Sequence, residues 1–480
     1  VFAPHSIAAA EISLGIVGIG WLIRALSTRR LGFHRTPFDL PICLFYLWTV
    51  ASSFFSEEPR ISIAKIQSAS VIFLFYLIQA VVTRRTAVML VAVMILSGLA
   101  GSIYSVYDLA RGRGIIVEAI AVDSPLQQLQ IREGDVLWRI GRRRIRSVTD
   151  IDEAIRDSKT ETELTVSVIS QGEHVDRPGF RVTDDIKQRP SPSGIIGSRP
   201  THLFRASGWT SHYETFAEIL LILAQLAFGL GLANFRNHRL NRWAGLAFAA
   251  ATLLAFGIAF TAMRTALVAM AIGICVISLR ALRGRARMVS VFVVALVMVF
   301  GAFFVYQTRA AQALWLQDPS SSLRGQVATI GLKRVMLHPL FGHGMDSMHL
   351  HWTDWGFPGR DLLHMHSTPL QFAFDRGLPA VIFWLWIMIA FWLTASRAER
   401  SQRKSRDTNR YGILLGATGV VAAVFADSIV NYTFGNEQVM IVFWWLMGMV
   451  VVMADEARQH QGGVETSTQE NDPRSYTKLH

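Results

Sequence analysis

The chain has 480 residues, 51% of them hydrophobic, with 47 Lys and Arg against 35 Asp and Glu and a formal net charge of +12. Its apolar residues are gathered into long runs separated by Arg-rich clusters, a pattern that argues against a soluble protein of several domains. The Arg residues lie between those runs rather than on one face of a folded domain, so they point to membrane orientation and away from nucleic acid. Cys43 and Cys275 both fall inside apolar runs, where neither a disulfide nor a metal cluster is implied.

A spanning helix needs about 20 mostly apolar residues, because the hydrocarbon layer is about 30 Å thick and a helix rises about 1.5 Å per residue. On that measure, helices are predicted over residues 7–26, 38–55, 66–82, 87–107, 216–233, 243–260, 265–279, 289–306, 378–395, 413–430 and 439–453. The reading is therefore an all-α polytopic membrane protein with about eleven visible transmembrane helices.

Every second connection is basic: residues 24–35, Arg84 with Arg85, the Arg236–Arg242 stretch, the Arg280–Arg287 stretch and residues 397–410. Positive charge in short loops marks the cytoplasmic side. The alternate connections, including residues 108–214 and 307–377, are then outside, in the periplasm of a bacterial inner membrane. Residues 1–108 read as N-terminal membrane helices, 112–185 as a periplasmic module, and 186–213 as a linker marked by Pro190, Pro192 and Pro200. Residues 214–454 read as the transmembrane core, and 455–480 as a disordered cytoplasmic tail. This orientation puts Val1 outside, which leaves room for a twelfth helix upstream.

Within the first long outer segment the apolar runs stop. Strands are expected over residues 115–122, 136–140 and 164–169, and a helix over 149–158 capped by Thr149 or Asp150. The residues Gly114-Ile115-Ile116-Val117, Asp123-Ser124-Pro125, Arg132-Glu133-Gly134-Asp135-Val136-Leu137 and Ile140-Gly141, followed by the helix with Asp150, Ile151 and Ile155, resemble a bacterial PDZ domain. That resemblance implies capture of a peptide C-terminus as an added strand, with Gly112, Arg113, Gly114, Ile115 and Ile116 as the peptide-binding loop.

Two arginines stand out. Arg264 lies in a turn with hardly any loop between two apolar runs, on the side where positive-inside bias gives it no reason to be. A guanidinium fork matches phosphate oxygens, which makes Arg264 a candidate anion ligand. Arg324 precedes a stretch, residues 326–337, whose Val327, Ile330, Leu332, Val335 and Met336 predict an amphipathic helix at the interface. A cation at a helix start opposes the macrodipole, and a phosphate partner would satisfy both. Lys333 and Arg334 read as solvated charges.

Histidines follow at 338, 343, 349, 351, 364 and 366. Their irregular spacing, with no cysteine and no helical His-x-x-x-His pair, argues against a metal site. A neutral imidazole near pH 7 is suited to take a proton from an attacking hydroxyl.

His338-Pro339-Leu340-Phe341-Gly342-His343-Gly344, His366-Ser367-Thr368-Pro369-Leu370-Gln371 and Asp375-Arg376-Gly377-Leu378-Pro379 resemble the large outer loop of the O-antigen ligase and polymerase family. Residues 207–217, the Arg264 turn and Asn431-Tyr432-Thr433-Phe434-Gly435-Asn436 are similar to that family too. The resemblance implies metal-independent transfer of a glycan from undecaprenyl pyrophosphate to an acceptor hydroxyl, with no cofactor. Arg264 and Arg324 would hold the pyrophosphate, His366 would activate the acceptor, and His212 and His343 would be further substrate contacts. The implied partners are the lipid-linked donor, membrane lipid, and a glycan, lipid-core or protein acceptor. A protein O-oligosaccharyltransferase is one alternative; a lipid-linked sugar transporter and a PDZ-bearing membrane scaffold are alternatives of another class.

Overall fold

In the computed structural model the chain forms two compact units, residues 1–102 with 207–480, and residues 103–206. The structure describes residues 2–296 and 319–470, apart from 113, 142, 171–172, 202–204, 211, 239–240, 294 and 360–363.

The main helices, in chain order, are α1 (Ile7–Thr28), α2 (Asp39–Phe55), α3 (Pro59–Val81, with a 3-10 turn at Ser70–Phe73), α4 (Arg84–Arg111), α5 (Val148–Asp157), α6 (Tyr213–His238), α7 (Arg242–Phe260), α8 (Arg264–Ala281), α9 (Pro319–Leu337), α10 (Thr368–Arg376), α11 (Leu378–Gln402), α12 (Thr408–Val430) and α13 (Glu437–Glu470). Among the described residues nine helices are long and apolar enough to cross a membrane: α1, α3, α4, α6, α7, α8, α11, α12 and α13. They describe a multi-pass membrane protein. The expected span at 38–55 is the apolar 17-residue α2. The expected span at 289–306 lies partly outside the described residues, of which 284–293 are helical.

Helix ends follow local chemistry. Ser6 caps α1 by accepting from the Ala9 N–H at 3.3 Å, and Asn241 caps α7 by accepting from Ala244 at 2.8 Å. The centre of the membrane unit is α6 against α12, because 89% of α6's apolar window is buried, against 6% for α1. Gly229, Gly412 and Gly416 allow that approach: a Cβ on Gly229 would stand 2.6 Å from the Gly412 carbonyl oxygen. The helix α13 continues to Glu470 where a disordered tail was expected from residue 455. Glu456, Ala457, Arg458 and Gln459 favour helix, which polarity alone conceals.

Two corrections concern α9. It begins at Pro319, so Arg324 stands in its second turn and not at its start. Its apolar residues also divide: Val327 and Val335 are buried against Met348, Trp352, Met365 and Phe374, while Leu332 and Met336 are exposed.

Residues 103–206 form a sheet of order β5-β4-β2-β1-β6, with β3 paired to β2. The strands are β1 (Ile115–Ile120), β2 (Val136–Ile140), β3 (Arg143–Arg144), β4 (Glu163–Ser170), β5 (Glu173–Arg181) and β6 (Ile195–Pro200). Ile115, Val117, Leu137, Ile140, Val166 and Val168 bury their side chains with Ile151 and Ile155 of α5. The cap of α5 is Ser147 rather than Thr149 or Asp150. Ser147 accepts from the Asp150 N–H at 3.3 Å, and Asp150 accepts in return from the Ser147 N–H at 2.9 Å, a reciprocal capping box.

Part of the expected linker is strand β6, antiparallel to β1 with Ile116 opposite Arg199 and Val117 opposite Ser198. Its closing proline sits at a strand end, where a missing N–H is tolerated. Since β1 is paired on both sides, by β2 and β6, Gly114, Ile115 and Ile116 present no open edge. A peptide adding as a strand on that side of the sheet would meet β6 instead. Gly112 ends α4's exit turn, and Arg113 lies outside the described residues.

Candidate active site

The chemistry-bearing side chains collect where α6, α8, α9, α10 and α12 meet at one end of the membrane unit. His212, Tyr213 and Glu214 open α6. Glu214 is an anionic hub: its Oε1 lies 3.6 Å from Arg324 Nη2 and accepts from the Tyr213 hydroxyl at 3.2 Å, and its Oε2 lies 3.9 Å from His212 Nδ1.

His366 stands just before α10 with φ +50, the left-handed region that a side chain of this size rarely adopts. Such a residue costs about 1–3 kcal/mol, so its neighbours must impose it. They do: both the N–H and the hydroxyl of Thr368 donate to the Asn431 carbonyl at 3.0 Å. The Asn431 amide donates in turn to Thr265 Oγ1 and to Asp427 Oδ1, each at 2.8 Å. The loop of His366 is thereby tied to the turn that carries Arg264, the first residue of α8. That turn contains a second left-handed residue, Ala262 at φ +54, and Thr261 closes it by accepting from the Met263 N–H at 3.2 Å.

The ring of His364 is 4.3 Å from that of His366, centroid to centroid. Burial first, then the charges of His364, Arg324 and His212, hold the His366 imidazole down at about 2. It is accordingly neutral near pH 7, with a lone pair, in a cationic surrounding suited to an anionic ligand.

Among the described residues two groups have the donors for a metal ion. The ligating atoms of Glu214, His364 and His366 all lie within 4.8 Å of one another, as do those of Glu57, His338 and His343. The second group is accounted for by its own hydrogen bonds: Glu57 Oε1 to His338 Nε2 at 2.9 Å, and Glu57 Oε2 to His343 Nδ1 at 2.6 Å. Burial pushes the Glu57 carboxyl up, but the His343 hydrogen bond and the charges of His343, His338 and Arg334 outweigh it and leave the group below its ordinary range.

Of the residues expected from sequence, Arg324, His366 and His212 are brought together, and Arg264 is tied to them through Thr265. His343 is not among them. It is fully buried, its second nitrogen bonds the Arg334 carbonyl at 3.0 Å, and its ring packs between Trp355 and Phe374. With both nitrogens engaged it links Glu57 to the Arg334 carbonyl. Glu214 and His364 were missed as site residues. An acidic residue in the first turn of a helix reads as an ordinary dipole partner, and one histidine among six carries no distinguishing mark.

The signature motifs around Gly342 and Gly377 prove to be a backbone crossing. Gly342 has φ +71, and a Cβ there would lie 2.5 Å from the Arg376 nitrogen. His343 N–H donates to the Phe374 carbonyl at 2.7 Å, and Gly344 N–H to the Asp375 carbonyl at 3.0 Å. Buried Arg376 stacks on Phe372, its charge 4.7 Å from the ring centre.

Against known proteins, residues 248–385 match the family model described as O-Antigen ligase. The matched stretch contains Arg264, Arg324, His364 and His366, and it supports glycan transfer in polysaccharide biosynthesis as the general activity. No curated protein matches the chain.

Proposed function

We propose that the protein transfers a glycan from undecaprenyl pyrophosphate to an acceptor hydroxyl at the periplasmic face of the inner membrane, as a surface-polysaccharide ligase or polymerase. The observation that carries this is a half-buried His366 beside Arg324, on a loop pinned to the Arg264 turn at the end of apolar helices. A diphosphate headgroup enters between the guanidinium groups of Arg264 and Arg324 while its polyprenyl tail stays among lipid. The acceptor O–H gives its proton to a His366 nitrogen, its oxygen forms the bond to the anomeric carbon, and the bond to the pyrophosphate oxygen breaks. Undecaprenyl pyrophosphate leaves with that electron pair, and the anomeric configuration inverts.

The site's electrostatics fit this order. Burial and then cationic neighbours depress His366, so a bound pyrophosphate that neutralises those neighbours raises its basicity at the moment a base is needed. No step in this reading passes through a metal ion. Residues 103–206 are read as a PDZ-like module, with β6 as the edge for a partner's peptide, and this leaves a protein acceptor as the second reading.

The test is reconstitution with undecaprenyl-pyrophosphate glycan and three acceptor classes: lipid-core sugar, growing chain end and protein hydroxyl. Acceptor-dependent release of lipid pyrophosphate that survives a chelator and is lost in His366→Ala and Arg324→Ala is expected. Release by neither wild type nor variants with any acceptor would favour transport or scaffolding; release abolished by the chelator would move the chemistry to the Glu214, His364 and His366 donor set.

A further inference from the structure

At the other end of α8, an 18-residue helix about 27 Å long, five arginines converge on one hollow. A pocket of about 310 Å³ is lined by Arg280, Arg283 and Arg287, by Arg400 and Arg403 of the α11 end, and by Glu399. Glu399 is 1% exposed and is taken up by Arg280, Nη2 to Oε2 at 2.7 Å. Arg280 also donates to the Ser396 carbonyl at 3.2 Å, and Arg403 to the Arg280 carbonyl at 3.0 Å, so both guanidinium groups are fixed by backbone. One carboxylate against five guanidinium groups leaves four positive charges around a single concavity, where they repel unless an anion joins them. Positive-inside bias asks only for charge somewhere in the connection; it does not require convergence from two helices on one pocket.

We propose that this pocket binds the phosphate of an anionic phospholipid. Guanidinium forks match phosphate oxygens, and basic pockets between membrane helices suit such headgroups. The apolar surface beside the pocket favours a lipid over a free anion. Ile272 and Leu279 of α8 and Ile389 and Leu393 of α11 are each 40–56% exposed and run along both helices away from the arginines. Acyl chains lie along that surface while the headgroup sits at the helix ends, at the depth of the interface. This inference is independent of the transfer chemistry.

The experiment uses the full chain, purified in detergent and stripped of lipid, with thermal unfolding followed in added phosphatidylglycerol, phosphatidylcholine or inorganic phosphate. Phosphatidylglycerol is expected to raise the midpoint by several degrees and phosphatidylcholine to leave it in place. Combined substitution of the exposed Arg283→Ala, Arg287→Ala and Arg400→Ala is expected to remove the response while the midpoint in phosphatidylcholine is kept, which shows the variant is folded. Native mass spectrometry should find the anionic lipid on wild type and not on the variant. Equal midpoints with both lipids, or a variant that still responds, would overturn the site; a response to inorganic phosphate with none to phosphatidylglycerol would overturn the lipid assignment.

Discussion

Asn431 Nδ2 donates to Thr265 Oγ1 at 2.8 Å, while the carbonyl of the same residue receives both donors of Thr368. One residue at the end of α12 therefore joins the Arg264 turn, through its side chain, to the His366 loop, through its carbonyl. Neither group it holds is Asn431 itself, so it is a positioning residue. Asn431→Ala is expected to lower kcat by about tenfold to a hundredfold, the scale of misplacing a reactive group by an ångström. Donor KM should change little. A kinetic comparison with Asn431→Asp, which keeps the size but offers no N–H, should show a similar loss; full activity in either variant would sink the positioning role.

A second prediction follows from the cationic surroundings of His366. Its imidazole is held at about 2 by burial and by His364, Arg324 and His212. An unfolded histidine titrates near pH 6.5. Below about 6.5 the unfolded chain binds a proton that folded His366 refuses, so this group's contribution is intact above 6.5 and is lost as pH falls toward 2. The slope is up to about 1.4 kcal/mol per pH unit. His366→Gln should flatten the acid decline of stability in denaturant titrations. Arg324→Met removes one of the depressing charges and should move the titration of the His366 imidazole upward in pH, read by NMR of labelled histidine without substrate; an unchanged titration would show that Arg324 does not act on the base.

The sequence disclosed what depends on length and periodicity and hid what depends on burial. Apolar runs placed α6, α7 and α8 within a few residues, because a bilayer imposes their length. Arg264 stood out as a charge between apolar runs and Arg324 as a cation at an expected helix start, although the helix begins at Pro319, its first turn being too polar to join the apolar pattern. His343 and His366 look alike in the chain, and only the packing of Trp355 and Phe374 around the first tells their surroundings apart. Strand β6 was concealed by Pro190 and Pro192 before it and Pro200 at its end, and its pairing with β1 is a contact distant in sequence that no local pattern records.

The crossing of Gly342 and Gly377 yields a structural prediction. Gly377 has φ +81, and a Cβ there would stand 1.8 Å from the Leu340 carbonyl oxygen, which is backbone and has no rotamer to move. Gly377→Ala is expected to cost several kcal/mol, on the order of 3 or more, through strain and clash together. The readout is early proteolytic cleavage between residues 338 and 376 with the membrane helices still folded. Resistance equal to wild type would mean that the crossing yields.

Asp375 gives the last prediction, and its sign is opposite to that of His366. Burial pushes its carboxyl up to about 7, against the pull of Arg376 and a Gln371 amide that donates to it at 2.8 Å. The folded state thus binds a proton between the ordinary carboxylate range and 7 that the unfolded chain has released. Stability from this group is present at acid pH and declines as pH rises through about 7, after which the buried charge remains a constant cost. Asp375→Asn keeps an oxygen for Gln371 and carries no charge. It should match wild type near pH 4 and exceed it by on the order of 1–3 kcal/mol at pH 8. Arg376 retains Phe372 and the Met345 sulfur, 3.1 Å from its Nη2, as partners in that variant. Paired unfolding curves at pH 4 and 8 decide it: a variant less stable at pH 8 would show that the Asp375–Arg376 attraction outweighs burial, and that the carboxylate holds the crossing together in its charged form.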